Sequence, residues 1–203
     1  MADRRHLLLA PALLVLPRPA LSQRIRVGEV TALTGAAAAL FSGEAPRPLA
    51  PDAPVLMEDL LTTGPAARLA CRLDGGLELR MGENAALRVD ALALRGPRPG
   101  TSLRGFGGAL LLDIPRSERP APVDVTLPWA HIGVRGTRFF AGVLDGVQAV
   151  FVARGRVEVR TAGGTVPLGE GQGVDVAPNG APGPVREWGA PRIARALALV
   201  GAT

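Results

Sequence analysis

Cys71 and His131 are the two side chains best suited to nucleophilic or acid–base chemistry in this chain, since the only other histidine, His6, falls in a segment that reads as cleaved. A dyad of the two would need them to meet in space and would need a depressed thiol pKa. Cys71 argues against it. In Leu69-Ala70-Cys71-Arg72-Leu73 the residues Leu69, Cys71 and Leu73 alternate with Ala70 and Arg72, the period of a half-buried strand, where cysteine acts as a small hydrophobe. His131 borders a strand corner, where a hydrogen-bonded structural role fits better than general acid–base work. One histidine and one cysteine cannot supply a zinc site within one chain, so no metal and no cofactor is expected. Glu58 and Asp59 are sequence neighbours; in a strand they point to opposite faces, and they read as turn and edge residues. The glycine-rich residues 168–173 do not lead into a helix, which removes a phosphate cradle. No catalytic residue is assigned, and the chain is expected not to be an enzyme.

The elements that carry these residues read as strands. Residues 129–152 run strand, glycine-bounded corner, strand, Asp145-Gly146 turn, strand, and Asp-Gly is the pair that best tolerates the positive φ angles of a two-residue hairpin. At the corner, Gly136 is expected to supply a conformation that a side chain forbids, Thr137 to bond the local backbone, and Arg135 to reach a carboxylate or carbonyl. Residues 68–73 and 77–81 form a hairpin around Asp74-Gly75-Gly76, with Leu69, Cys71, Leu73, Leu77, Leu79 and Met81 inward and the outward charges free to pair across strands. Leu87, Val89 and Ala91 continue the pattern.

Residues 27–33 open as a strand whose alternation does not choose a buried face. Residues 43–54 read as a loop with at most a short edge strand. The proline-rich stretches 95–100 and 115–122 cannot hold regular pairing. Strands are expected at 109–114 and 123–127, a hairpin around Gly163-Gly164, and a last strand at 174–176. Residues 191–200 form the one helical stretch, with Ile193, Ala194, Leu197 and Val200 on one face, short enough to cap a sheet.

Arg4, Arg5 and His6, the apolar residues 7–16 and the small residues of Ala20-Leu21-Ser22 together read as a secretory signal peptide, with the mature chain starting near Gln23. A membrane anchor needs about 20 apolar residues, and Pro17-Arg18-Pro19 interrupts this run well before that. The adjacent arginines also fit twin-arginine export, which the motif does not separate from the general route. Residues 23–180 then form one all-β domain and residues 181–203 a tail with the short helix.

Removal of residues 1–22 takes away Arg4, Arg5, Arg18 and Asp3 and lowers the formal charge from +5 to +3. All 23 basic residues are arginine. They are scattered among Asp and Glu instead of gathered into a stripe with interleaved aromatics, so no nucleic-acid partner is expected. With a single cysteine no intrachain disulfide can form, and stability must come from sheet pairing and aliphatic packing.

Residues 27–176 resemble the FecR domain. Val27-Gly28-Glu29-Val30 with Leu33-Thr34-Gly35 resembles the family's opening "G-x-V-x-x-x-x-G". Glu58-Asp59-Leu60-Leu61-Thr62-Thr63-Gly64 resembles "G-D-x-x-x-T-G", with Glu58 in the glycine position. Asp74-Gly75-Gly76 between Leu73 and Leu77, then Gly82-Glu83-Asn84-Ala85-Ala86-Leu87, resemble "L-x-D-G-S-x-L-x-L" and "G-P-N-S-x-L". Ala130 to Phe139 carries "A-x-x-G-V-R-G-T-x-F", and Gly155-Arg156-Val157 and Leu168-Gly169-Glu170-Gly171-Gln172 follow in order. The resemblance implies a bacterial, envelope-located, all-β module. FecR-type regulators of iron uptake add a cytoplasmic anti-sigma segment, a membrane helix and a further domain that meets a transporter. This chain shows no such segment or helix, so the expectation is the periplasmic module alone, with no transmembrane span.

The fold expected is all-β, two packed antiparallel sheets or a short β-solenoid-like winding, with a small carboxy-terminal helix and a thin core of Leu, Val and Ala. Three functions remain open. The first is a periplasmic or secreted module that works in envelope signalling, sensing or assembly through an envelope protein partner or ligand. The second is a glycan-binding module, for which Trp129 and Trp188 are the aromatic platforms. The third is a minor hydrolase using His131.

Overall fold

The computed structural model describes residues 24–93, 99–116 and 121–202. The expected signal peptide and its cleavage point lie outside the described residues, as do residues 94–98 and 117–120 of the two proline-rich loops. Alternation of apolar and polar residues every second position sorts the strands into two sheets that share one buried interface. β1 (Arg26–Thr34) opens sheet I, and β2 (Ala37–Leu40) and β3 (Arg47–Pro48) cross to sheet II. The chain returns to sheet I for β4 (Pro54–Leu56), crosses for β5 (Leu60–Thr63) and comes back for the hairpin β6 (Arg68–Leu73) and β7 (Leu77–Met81). β8 (Ala86–Ala93) and β9 (Gly100–Gly107) join sheet II, β10 (Leu110–Asp113) sheet I, and β11 (Val123–Leu127) and β12 (Ala130–Val134) sheet II. The hairpin β13 (Arg138–Leu144) and β14 (Val147–Arg154) lies in sheet I, β15 (Val157–Thr161) and β16 (Gly164–Leu168) in sheet II, and β17 (Gln172–Val176) and β18 (Arg186–Glu187) in sheet I.

Strand order is β4-β1-β6-β7-β10-β13-β14-β17-β18 in sheet I and β3-β2-β5-β8-β9-β11-β12-β15-β16 in sheet II. The chain therefore winds from one end of the sandwich to the other. All neighbours pair antiparallel except β9 and β11, which run parallel because the chain visits β10 in the other sheet between them. The expected strands recur, and β2, β5, β9 and β18 are additional to them. In β9, Gly105 and Gly107 flank the exposed Phe106 and hide an alternation in which Thr101 and Leu103 face inward. β1 has register shifts at Arg26/Gly28 and Val30/Ala32, and both Val27 and Val30 are buried in the core despite their odd spacing.

The interface between the sheets is filled by Leu, Val, Ile and Ala, with Phe139 the one fully buried aromatic ring among the described residues there. A second apolar layer covers the outer face of sheet I. There α1 (Ala190–Leu199), started by Gly189 and Pro191, lays Ala196 and Val200, with Ile193 and Leu197 partly buried, over Phe140, Leu144, Phe151 and Trp188. Ala194, expected on that stripe, is exposed; Ala196 takes its place because the i, i+3, i+4 path from Ile193 to Val200 runs through it. Arg68 on β6 and Arg80 on β7 donate to the carbonyls of Ala198 (3.2 Å) and Gly201 (3.0 Å), which satisfies acceptors at the helix end. At the other flank Arg195 pairs with Asp145 (2.9 Å), and this hydrogen bond holds the Asp145 carboxyl below its usual range.

Candidate functional site

Sheet II has no helix over its outer face among the described residues, so the outward half of its alternation meets solvent. β11, β12 and β15 bury Val123, Val125, Ile132, Val134, Val157 and Val159 and turn Asp124, His131 and Glu158 outward. Register lines these up. Arg160, His131, Thr126, Arg104 and Arg88 lie opposite one another across five successive strands, and Leu60 and Leu40 continue the line. A second line runs Glu158, Gly133, Asp124 and Ser102. Carboxylates bind guanidiniums across it: Glu158 accepts from Arg160 (2.6 Å), and Asp90 accepts from Arg104 (2.9 Å) and from Arg88. Asp90 reaches both arginines because the β8–β9 register shifts between Val89 and Ala91.

Beside Arg88 and Arg104 the face opens into a cleft of about 650 Å³ lined by Leu40, Phe41, Ser42, Glu58, Leu60 and Asp90 in addition to the two arginines. Its rim is held from behind. The Arg24 guanidinium lies over the Phe41 ring at 3.6 Å and donates to Met57 O (2.6 Å) and Asp59 (2.8 Å). Asp59, 1% exposed, also accepts from Arg47 (2.6 Å) and from the backbone N–H of Leu56 (2.9 Å). The reading of Glu58-Asp59 as turn and edge residues thus holds for Glu58 alone. Glu58 is exposed at φ +65°, and Asp59 is a buried anchor for two arginines that come from distant parts of the sequence. The glycine of the resembling pattern falls at Glu58, the position that needs the left-handed conformation.

The other singled-out residues are placed apart. Cys71 faces the inter-sheet core at 2% exposure, and burial pushes its thiol up to about 12. His131 is exposed on the far side of sheet II, with Nδ1 3.2 Å from Thr126 Oγ1. The core stands between them. Among the described residues no three His, Cys, Asp or Glu side chains gather as a metal-holding group. Gly136 has φ +61°, and the single proton of the buried Thr137 hydroxyl has two carbonyls within reach, Arg135 (3.1 Å) and Arg156 (2.9 Å), the second of which ties the corner to β15. The Arg135 guanidinium, expected to reach a carboxylate or carbonyl, forms no hydrogen bond among the described residues. Residues 168–173 make a turn from β16 to β17 in which Gly169 N–H donates to Gln172 (2.8 Å). Trp188 is no platform for a ligand: it is buried, stacked on Phe151 with ring centroids 4.9 Å apart, under the Arg192 guanidinium. Trp129 is half-buried beside His131 and Arg160 in a shallow depression.

This arrangement of strand corners and turns coincides with a family signature. Residues 59–158 match the family model described as FecR protein. They are a FecR domain. The match begins at Asp59, the buried anchor, and runs through the Gly136 corner into β15. Two crystal structures of a candidate anti-sigma factor from Parabacteroides distasonis ATCC 8503, at 1.65 Å and 2.50 Å, share the fold. Each has a TM-score of 0.56 and 17% identity over 66% of this chain. The chain spans 62% of the length of those structures. Among the curated proteins nothing matches. No helix among the described residues is long and apolar enough to cross a membrane.

Proposed function

We propose that the protein is an exported, periplasmic FecR-like module that acts in envelope signalling, sensing or assembly by binding, without turnover. The observation that carries this reading is the FecR match over residues 59–158, which includes the strand corner at Gly136. The solved relatives are described as a candidate anti-sigma factor, which favours a signalling role for the shared fold. Polar groups on the open face of sheet II are engaged with one another in Arg–carboxylate pairs, and His131 is bonded to Thr126, so no nucleophile, base and orienting group stand together there. A glycan is the favoured alternative to a protein partner, because the cleft beside Arg88 and Arg104 offers charged, hydroxyl and aromatic groups together. Cell fractionation with amino-terminal sequencing tests export: the mature chain should be recovered from the periplasm beginning near Gln23. An uncleaved, membrane-embedded product would refute it. A His131→Ala protein should keep its binding, and a turnover lost with that change would refute the non-catalytic reading.

A further inference from the structure

We propose that the cleft between Phe41 and the Arg88–Asp90–Arg104 cluster binds a carboxylate-bearing sugar of an acidic polysaccharide. The proposal rests on the reading of the chain as a binding module and adds the class of ligand. Arg88 and Arg104 stand directly opposite on β8 and β9, and each directs Nε to a different oxygen of Asp90. Like charges directly opposite repel. Asp90 bridges them on one side only, and among the described residues their Nη groups have no partner. Those edges present paired N–H donors in the geometry that takes a second carboxylate bidentately. Because Asp90 is itself only 17% exposed and fixes both side chains, the two forks are ordered before any ligand arrives.

The opposite wall selects what accompanies that carboxylate. Arg24 covers one face of Phe41, and Asp59 fixes Arg24, so the ring stands as a rigid apolar wall beside Leu40 and Leu60. The C–H face of a pyranose suits such a wall. The Ser42 hydroxyl can donate and accept, and the Glu58 carboxylate can only accept, which fits sugar hydroxyls. The Glu58 backbone N–H donates to Val89 O (3.0 Å), and its carboxylate makes no hydrogen bond or ion pair among the described residues. The Glu58 carboxylate repels an anionic group set against it and leaves that place to hydroxyls, which a uronate carries on the ring positions away from its carboxylate. The volume of about 650 Å³ lies in the range of small-molecule sites. From Arg88 the in-register line continues through Thr126 and His131 to Arg160, roughly 19 Å at the spacing of neighbouring strands, which leaves room for further sugars of the same chain.

Calorimetric titration of the purified full chain with hexagalacturonate and hexamannuronate tests this, with the methyl-esterified hexamers, inorganic phosphate and a free-acid hexapeptide as competitors. At least one uronate should bind, its methyl ester at least tenfold more weakly, and the affinity should fall as salt is raised. Arg88→Gln and Arg104→Gln should each weaken binding at least tenfold with unchanged thermal melting, and Phe41→Ala should weaken it several-fold. Absence of binding to both uronates, equal binding of the esters, indifference to Arg104→Gln, or displacement by phosphate or the peptide at equal concentration would overturn the proposal and leave the binding-module reading standing. Release of new reducing ends from the hexamers would instead overturn that reading.

Discussion

Sheet I and sheet II are made of the same short strands, yet their outer faces end in opposite surfaces. In sheet I, β13 buries Phe139, Phe140, Ala141 and Gly142 in succession, because one side meets the inter-sheet core and the other meets α1 and its flanks. In sheet II, β12 buries Ala130, Ile132 and Val134 and leaves His131 in water. Coverage on both faces demands a continuous apolar run, whereas coverage on one demands alternation. The contrast separates two ways of using a strand: the doubly covered β13 carries consecutive apolar side chains, and the one-sided strands of sheet II turn arginine–carboxylate pairs such as Arg104–Asp90 and Arg160–Glu158 to solvent.

The sharpest way to break that comparison is to empty the covered side. Trp188→Ala should cost about 3–5 kcal/mol, because the indole stacks on Phe151 and lies close against Gly173. Denaturant titration would show it, and a loss under ~1 kcal/mol would mean that the helical layer is an accessory and not a second core. Gly136→Val comes next. At φ +61° a β-branched residue is strained, and a loss of about 1–3 kcal/mol is expected in the same measurement. A variant as stable as the parent that lost its partner would assign the corner to recognition. On the open side, His131→Ala and Thr126→Ala should each stay within ~0.5 kcal/mol of the parent; a larger loss would show that the contact between Thr126 and His131 holds the fold together.

The smallest effect concerns the exposed pair at the edge of the covered face. Arg195, by its hydrogen bond, holds the Asp145 carboxyl below the ordinary range, so the pair's contribution is present above that range and is lost as pH falls through the lowered pKa. An NMR titration should find Asp145 low in the parent and raised in Arg195→Ala, where the hydrogen bond that is the largest cause of the shift is gone. No change between the two would remove the pair from the account.

Sequence patterns reached the elements whose signals are local. The hairpins around Asp74-Gly75-Gly76, Asp145-Gly146 and Gly163-Gly164 are written in turn residues and in alternation, and Cys71 could be placed inward from its neighbours alone. The thin aliphatic core followed from composition. β9 was hidden because glycines stand at 105 and 107, where its inward series continues, and an apolar Phe106 stands at an outward position; β2 and β5 were hidden because four residues are too few to display a period. The cleft was out of reach for a different reason. Arg88 and Arg104 become neighbours only through the β8–β9 register, and Asp90 turns toward them only at a register shift. Asp59 likewise finds Arg24 and Arg47 across 35 and 12 residues of chain. The one sequence signal at this place was the departure from glycine at Glu58, which marks a left-handed residue at the rim without saying what the rim encloses.

The winding of the chain has a consequence for how the molecule can assemble and change. β1 with β6 is the longest jump in strand order, and every other pairing joins strands closer in the chain. Spatial neighbours are thus sequence neighbours, as in a stack of repeats, so a hairpin formed anywhere can template the next on either side. The terminal strands are short or carry Pro48, Pro54 and Pro167, which caps the stack against further growth by foreign strands. Duplication or loss of an internal hairpin would lengthen or shorten the open face of sheet II by a whole strand spacing, and with it the number of consecutive units that a bound polymer could lay across it.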